Sequence, residues 1–285
     1  MPGDRELAAF SGGVGVITGA GSGIGEGLAR YAALSLDMTV VLADINAEAI
    51  GSLAEELISK GARAVAVPTD VRDPEALERL AETSFGISGD VRLLVNNAGI
   101  EQFGYLWDTP VENWDRLVAI NISGTFYGIR AFLPRMIAAK ASPPKYVLNV
   151  SSVGGVSAAP LQAPYIMSKH AVLSITECLY LEVESVEADI RVAAVLPGVV
   201  VTKIFESAGG VGSGADTTAA EEQRAAMLKV REGGMTALAA AQTTFSQAAD
   251  GEFFILSQPD MIGEAMSRRA DQLLDRRPPR SRAAQ

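Results

Sequence analysis

The chain has 285 residues, 48% of them hydrophobic and 20% charged, which is enough apolar material for a sizeable core and argues against wholesale disorder. A formal net charge of -10 is the wrong sign for a phosphate-backbone binder, so no nucleic-acid partner is expected. A single cysteine (Cys178) and a single histidine (His170) allow neither an intrachain disulfide nor a Cys/His metal cage. Met1 to Phe10 lacks a basic start followed by an apolar core, and no apolar run approaches the ~18 residues that span a bilayer. These readings predict a cytoplasmic protein without a membrane partner.

The first informative stretch is Val14 to Asp44. Val14, Val16 and Ile17 read as a buried strand that breaks at Thr18-Gly19-Ala20-Gly21-Ser22-Gly23-Ile24-Gly25 and resumes as a helix from about Glu26. Glycines there let the backbone turn tightly and approach a ligand, and the start of the helix offers free N–H groups and a positive dipole end to a pyrophosphate. A second strand, Thr39 to Ala43, ends at Asp44, nineteen residues after Gly25, where a carboxylate can accept from both hydroxyls of an adenosine ribose. Strand, glycine turn, helix and spaced carboxylate together point to dinucleotide binding.

Downstream, a helix is expected over Ala47–Lys60, stopped by Gly61, then a strand at Ala64–Val67. Pro74–Phe85 reads as a helix with Asp73 as its N-cap, followed by a strand at Val91–Val95. A long helix is expected from Val111 to Lys140, a strand at Tyr146–Val150, a helix at Pro164–Glu184 and a strand at Arg191–Leu196. Continuous apolar strands alternating with helices predict an α/β fold, a single-domain, doubly wound parallel sheet of the Rossmann type over residues 1–275. The Gly/Ser/Ala-rich segment 203–234 breaks the rhythm and is expected to form a lid. Glu252–Leu256 reads as a last strand, Met261–Leu274 as a helix, and 276–285 as a disordered basic tail.

Tyr165 and Lys169 are spaced i, i+4 on one expected helix and so share a face. A neighbouring ammonium favours a phenolate, which would make Tyr165 a workable acid or base near neutrality. Ser152, on the loop leaving the fifth strand, could hydrogen-bond a carbonyl or alkoxide oxygen. His170 points to another helix face and reads as structural, and Cys178 reads as a packed thiol.

With these residues in place the sequence resembles the short-chain dehydrogenase/reductase family over roughly Val14 to Thr202. Thr18-Gly-x-x-x-Gly-x-Gly25 matches its cofactor turn, Asp70-Val71 its adenine-contacting pair, and Asn97-Ala98-Gly99 its motif after strand four. Asn121 falls at its water-holding asparagine, Ser152 stands thirteen residues before Tyr165, and Pro197-Gly198 with Thr202 matches the segment contacting the nicotinamide carboxamide. The resemblance implies hydride transfer between NAD and a secondary alcohol or ketone, with Asn121, Ser152, Tyr165 and Lys169 as the catalytic set. It further implies cofactor contacts from Gly19, Ser22, Gly23, Ile24, Gly25, Asp44, Ile45, Asp70, Val71, Asn97, Ala98, Gly99, Tyr165, Lys169, Pro197, Gly198, Val200 and Thr202, and a homodimer or homotetramer paired through the helices carrying Phe126, Ile129 and Phe132 and Ile175, Leu179 and Leu181.

Two departures stand out. Ser35-Leu36-Asp37-Met38 replaces a Gly-containing turn, and the Gly-Gly ending after the last strand is absent. Alternative readings are a 3-oxoacyl reductase, a sugar-nucleotide epimerase or dehydratase, and a non-catalytic dinucleotide sensor. GxxxGxG weighs against the epimerase, Asp44 against a reductase using the phosphorylated cofactor, and the intact four-residue set against the sensor. The substrate pocket is expected to include Gln102, Phe103, Leu161, Gln162, Ile204 and Phe205, with no Arg or Lys to pair with an anionic substrate.

Overall fold

The computed structural model describes residues 2–139 and 144–279. Lys140, the expected end of the long helix, and 280–285 of the expected tail lie outside the described residues. The chain opens with helix α1 (Asp4–Phe10), strand β1 (Val14–Thr18), α2 (Gly23–Leu34), β2 (Thr39–Asp44), α3 (Ala47–Ser59) and β3 (Arg63–Pro68). It continues through α4 (Pro74–Ser88), β4 (Val91–Asn96), α5 (Val111–Leu117), α6 (Gly124–Ala138) and β5 (Lys145–Val150). The last part is α7 (Ala163–Ser185), β6 (Ile190–Leu196), α8 (Thr218–Glu232), α9 (Ala237–Asp250), β7 (Phe254–Leu256) and α10 (Pro259–Leu274).

The seven strands form one sheet in the order β3-β2-β1-β4-β5-β6-β7. All pairs are parallel. The order reverses between β1 and β4, so loops leaving the strands diverge there and open a crevice at their C-terminal ends. Strands β1 and β4 are buried along their whole length because helices cover both faces. On one face Ile17, Leu28, Leu42, Leu93 and Tyr146 pack together; on the other, Val16, Leu77, Leu94, Phe132 and Leu179 do so.

Several elements differ from expectation. No element was expected before Val14, yet α1 forms there and buries Phe10 against Tyr146 (4.5 Å between ring centroids) and Phe245 (5.0 Å). The expected long helix is interrupted, because Val118–Ser123 widens into a π-helical turn between α5 and α6. The segment 203–234 contains α8, and the following Ala-rich stretch forms α9, whose small residues allow close packing on α2: a Cβ on Gly27 would lie 2.4 Å from the Ala237 carbonyl oxygen. Asp37 takes the place of the missing turn glycine, adopting φ +53° while Arg63 donates to its carbonyl at 2.7 Å. Cys178 is exposed, not packed, because α7 turns that position to solvent. No helix among the described residues is long and apolar enough to cross a membrane.

Candidate active site

A cavity of about 700 Å³ runs along the C-terminal edge of the sheet from Asp44 and Asp70 past the glycine turn to Ser152, Tyr165 and Lys169. At its first end the glycines are required by contact. Gly19 has φ +66°, and a Cβ on it would stand 2.9 Å from the Ala98 Cα; a Cβ on Gly25 would reach 2.1 Å from the Gly19 oxygen. The first intrahelical bond of α2 runs from the Glu26 amide to the Ser22 carbonyl, so the Gly23, Ile24 and Gly25 amides precede the helical ladder. Thr18 and Asn97 lock this turn to β4: the Thr18 hydroxyl accepts from the Asn97 and Ala98 amides at 3.0 and 3.2 Å, and Asn97 Nδ2 donates to the Thr18 carbonyl at 2.8 Å.

Asp44 is held from both sides. Its Oδ2 accepts from the Gly21 amide and its Oδ1 from the Asn46 amide, each at 2.9 Å. Each oxygen keeps a further lone pair for a ribose hydroxyl. Ile45, Asp70 and Val71 line the same cavity, as does Arg72, a cation that sequence reading did not place there. Arg72 grips both Asp70 oxygens, with contacts from 2.6 to 3.0 Å, and its hydrogen bonds hold Asp70 below the usual carboxylate range. These residues fit an adenosine whose pyrophosphate rests on the start of α2.

At the other end of the cavity, Lys169 Nζ donates to the Val150 carbonyl at 2.9 Å and lies 5.6 Å from the centroid of the Tyr165 ring. Ser151 Oγ donates to the Lys169 carbonyl at 2.7 Å, tying β5 to α7, while Ser152 Oγ accepts from the Gly154 amide at 3.0 Å and lines the same cavity as the phenol. Asn121 sits in the π-helical turn and is buried. It accepts from the Ile100 amide at 2.9 Å and donates to the Ile100 carbonyl at 3.0 Å and to Ser168 Oγ at 2.9 Å. Asn121 and Gly25 brace the site from behind; the other residues expected there line the cavity itself. Gly99 is the spacer between these groups: a Cβ there would be 3.4 Å from Lys169 Nζ and 3.5 Å from Asn121 Oδ1.

The protonation expected for the pair needs correction. Burial raises the Tyr165 phenol above its ordinary value and a negative charge at Glu101 raises it further, against the Ser152 hydrogen bond. Lys169 does not offset this, because burial lowers its own pKa to about 8 despite the neighbouring Glu101. Glu101 itself was missed in the sequence. It is 1% exposed, lines the cavity, and burial pushes its carboxyl up to about 8. An acid two residues past Asn97-Ala98-Gly99 could have been flagged, but nothing in its neighbours marks it as buried.

The substrate end is also redrawn. Gln162, Ile204 and Phe205 line the cavity, joined by Met227. Gln102 instead faces the loop beyond, donating to the Gly210 carbonyl at 2.8 Å, and Phe103 is buried with Ala208 and Ala220 beneath α8. Leu161 adopts φ +63° at the entry to α7 and its carbonyl accepts from the Gly104 amide. Exposed Lys203 and Arg116 reach the cavity rim, so cations are present after all, at the mouth. Pro197, Gly198, Val200 and Thr202 line the opposite wall. The loop they belong to is fastened by the residues that replace Gly-Gly: Ser257 Oγ accepts from the Gly198 amide at 2.9 Å, and Gln258 bonds both the Val199 amide and carbonyl.

A parallel sheet with a dinucleotide cradle at its reversal point, and a Tyr–Lys pair facing the same cavity, defines the class of nicotinamide-dependent oxidoreductases. A family model described as short chain dehydrogenase matches residues 14–210, and the chain belongs to that family. It is 34% identical over 217 residues to 1-deoxy-11-beta-hydroxypentalenate dehydrogenase of Streptomyces exfoliatus, covering 75% of this chain and 77% of that one. A short chain dehydrogenase/reductase from Burkholderia phymatum in complex with NAD superposes with a TM-score of 0.88 at 30% identity, over 96% of this chain and 98% of the other. A metagenomic short-chain oxidoreductase in complex with NADP gives 0.62 at 32% identity, over 67% and 84%. Nicotinamide dinucleotides of both kinds thus occur among its structural neighbours.

Proposed function

We propose that the protein is an NAD-dependent dehydrogenase of secondary alcohols, or equally a ketone reductase, acting on a largely apolar substrate. The observation that carries this reading is the convergence of Ser152, Tyr165 and Lys169 with the Asp44-terminated glycine cradle on a single cavity. NAD would be held by Gly19 to Gly25, Asp44, Asp70 and the 197–202 loop, and it supplies a hydride acceptor at the nicotinamide C4.

In oxidation the carbinol C–H leaves with its electron pair, the O–H proton passes to the Tyr165 oxygen, and a C=O bond forms. Ser152 fixes the substrate oxygen and Lys169 supports the ribose side of the cofactor. Asn121, through the π-helical turn, positions the loop at Ile100 and, as the family resemblance implies, would anchor a water in the path by which the proton leaves. The segment 203–234 acts as a lid: Ile204, Phe205 and Met227 bring apolar surface over the substrate end, excluding water during transfer. Exposed Phe126 and Leu181 on α6 and α7 suit a homo-oligomer paired through those helices, and an unpaired Cys178 suits a reducing cytoplasm.

The test is reduced-nicotinamide absorbance with a panel of secondary alcohols and each cofactor in turn. Alcohol-dependent NADH formation supports the reading; binding of NADH without turnover of any alcohol or ketone favours a dinucleotide sensor instead.

A further inference from the structure

Glu101 has no part in the proton transfer described above, yet it lines the same cavity. Three segments hold it. Its Oε1 accepts from the Gln102 amide at 3.0 Å, its Oε2 accepts from Gln162 Nε2 at 3.1 Å, and its backbone carbonyl accepts from the Gly209 amide at 3.0 Å. Gln162 is itself positioned by α8, whose Gln223 donates to Gln162 Oε1 at 3.2 Å. Both donors to the carboxylate are neutral, and no Arg or Lys pairs with it among the described residues. Of the titratable groups on α7, Lys169 lowers its pKa by its charge, and Tyr165 is raised by the charge of Glu101.

A carboxylate offers about four acceptor positions, and here two are filled. Burying it with so few partners is unfavourable, and a glutamine or leucine would satisfy a purely structural role at lower cost. A ligand group that donates a hydrogen bond into the cavity would complete its shell. An ammonium would in addition supply a countercharge when Glu101 ionises.

We propose that Glu101 is the specificity-determining residue of this cavity and that it selects alcohols carrying a second hydrogen-bond donor, a hydroxyl or an ammonium, beside the carbinol that reacts. This rests on the reading of Tyr165 as the proton acceptor, which places the carbinol at this end of the cavity. The raised carboxyl pKa gives the recognition a measurable signature: near neutrality Glu101 holds a proton that an incoming ammonium displaces.

The test is titration calorimetry of the full chain with NADH present, at pH 7 in buffers of different ionisation enthalpy. Cyclohexanol, trans-1,2-cyclohexanediol and trans-2-aminocyclohexanol serve as matched ligands. The amino alcohol should bind about tenfold or more tightly than cyclohexanol, as one bond to a charged group allows, and release up to about one proton per site. A gain confined to the diol identifies the donor as a hydroxyl; a gain confined to the amino alcohol identifies it as a cation. Glu101→Gln should collapse the preference and abolish the proton release. Equal affinities, no binding by any of the three, or a preference that survives Glu101→Gln overturns the proposal. Binding heats do not depend on turnover, so bound ligands that yield no NADH when offered with NAD would sink the dehydrogenase reading and leave the role of Glu101 standing.

Discussion

Replacing Asp44 by alanine tests the cofactor assignment where the structure is most explicit. Its carboxylate is fixed by the Gly21 and Asn46 amides, so it cannot swing away from a ribose placed beside the glycine turn. Two hydroxyl donors to a charged acceptor are worth about 1.5–3 kcal/mol each, and the lower figure for both already amounts to about a hundredfold. A 2′-phosphate at ~4 Å would meet the same carboxylate with about 4 kcal/mol of repulsion in a surface-like dielectric, reduced to about 2–3 kcal/mol because Asp44 is half-exposed. Arg72 does not relieve this, since its guanidinium is engaged by Asp70. The unmodified protein should therefore prefer NAD over NADP by about a hundredfold or more in kcat/KM, measured from absorbance at saturating alcohol. Asp44→Ala should lose about a hundredfold with NAD while NADP use holds or rises. Arginine at the 67%-exposed Ile45 should raise NADP use further. Equal efficiency with both cofactors in the unmodified protein would refute the reasoning and move the ribose elsewhere.

Two further outcomes follow from particular groups. Between its ordinary value of 4.5 and about 8, Glu101 keeps a proton in the folded chain that the unfolded chain releases, so stability falls as pH rises through that window by up to about 1.4 kcal/mol per unit. The Tm of the cofactor-free protein should carry this fall between pH 5 and 8, and Glu101→Gln should flatten it; an unchanged slope in the variant would show that Glu101 titrates normally. Leu181, 62% exposed on α7, should lie in the subunit contact, and light scattering should find Leu181→Glu shifted towards monomer from a wild-type dimer or tetramer. A wild-type monomer at micromolar concentration would end that idea.

Most of the sheet was readable because parallel strands buried on both faces must be continuously apolar, and turn residues punctuate them. The cofactor turn was equally readable, since Gly19 and Gly25 stand where any side chain would collide with backbone. What escaped depends on tertiary context. Helix α9 is built from small residues with few large apolar positions, and its fit against Gly27 and the packing of Phe245 on Phe10 and Tyr31 explain it. Phe132 and Leu179, expected at a subunit contact, fill the core instead, whereas Phe126 and Leu181 on the same helices face outward. The spacing of Tyr165 and Lys169 set their shared face but not their protonation, which depends on burial and on Glu101, sixty-four residues before Tyr165 in the chain. The Ser257 and Gln258 clamp on the 197–199 loop likewise joins segments whose proximity no local pattern reveals.

The central claim is that Tyr165 transfers the proton in an NAD-linked alcohol oxidation, and one measurement addresses it directly. In Tyr165→Phe, the rate of NADH formation from the best alcohol of the panel is compared with that of the unmodified protein, alongside NADH affinity by fluorescence titration. Loss of one positioned acid–base group should lower kcat by about a hundredfold or more while NADH affinity stays within about twofold, because Lys169, Asp44 and the glycine turn remain. A folded variant that binds NADH normally and oxidises the alcohol at close to the original rate would contradict the account.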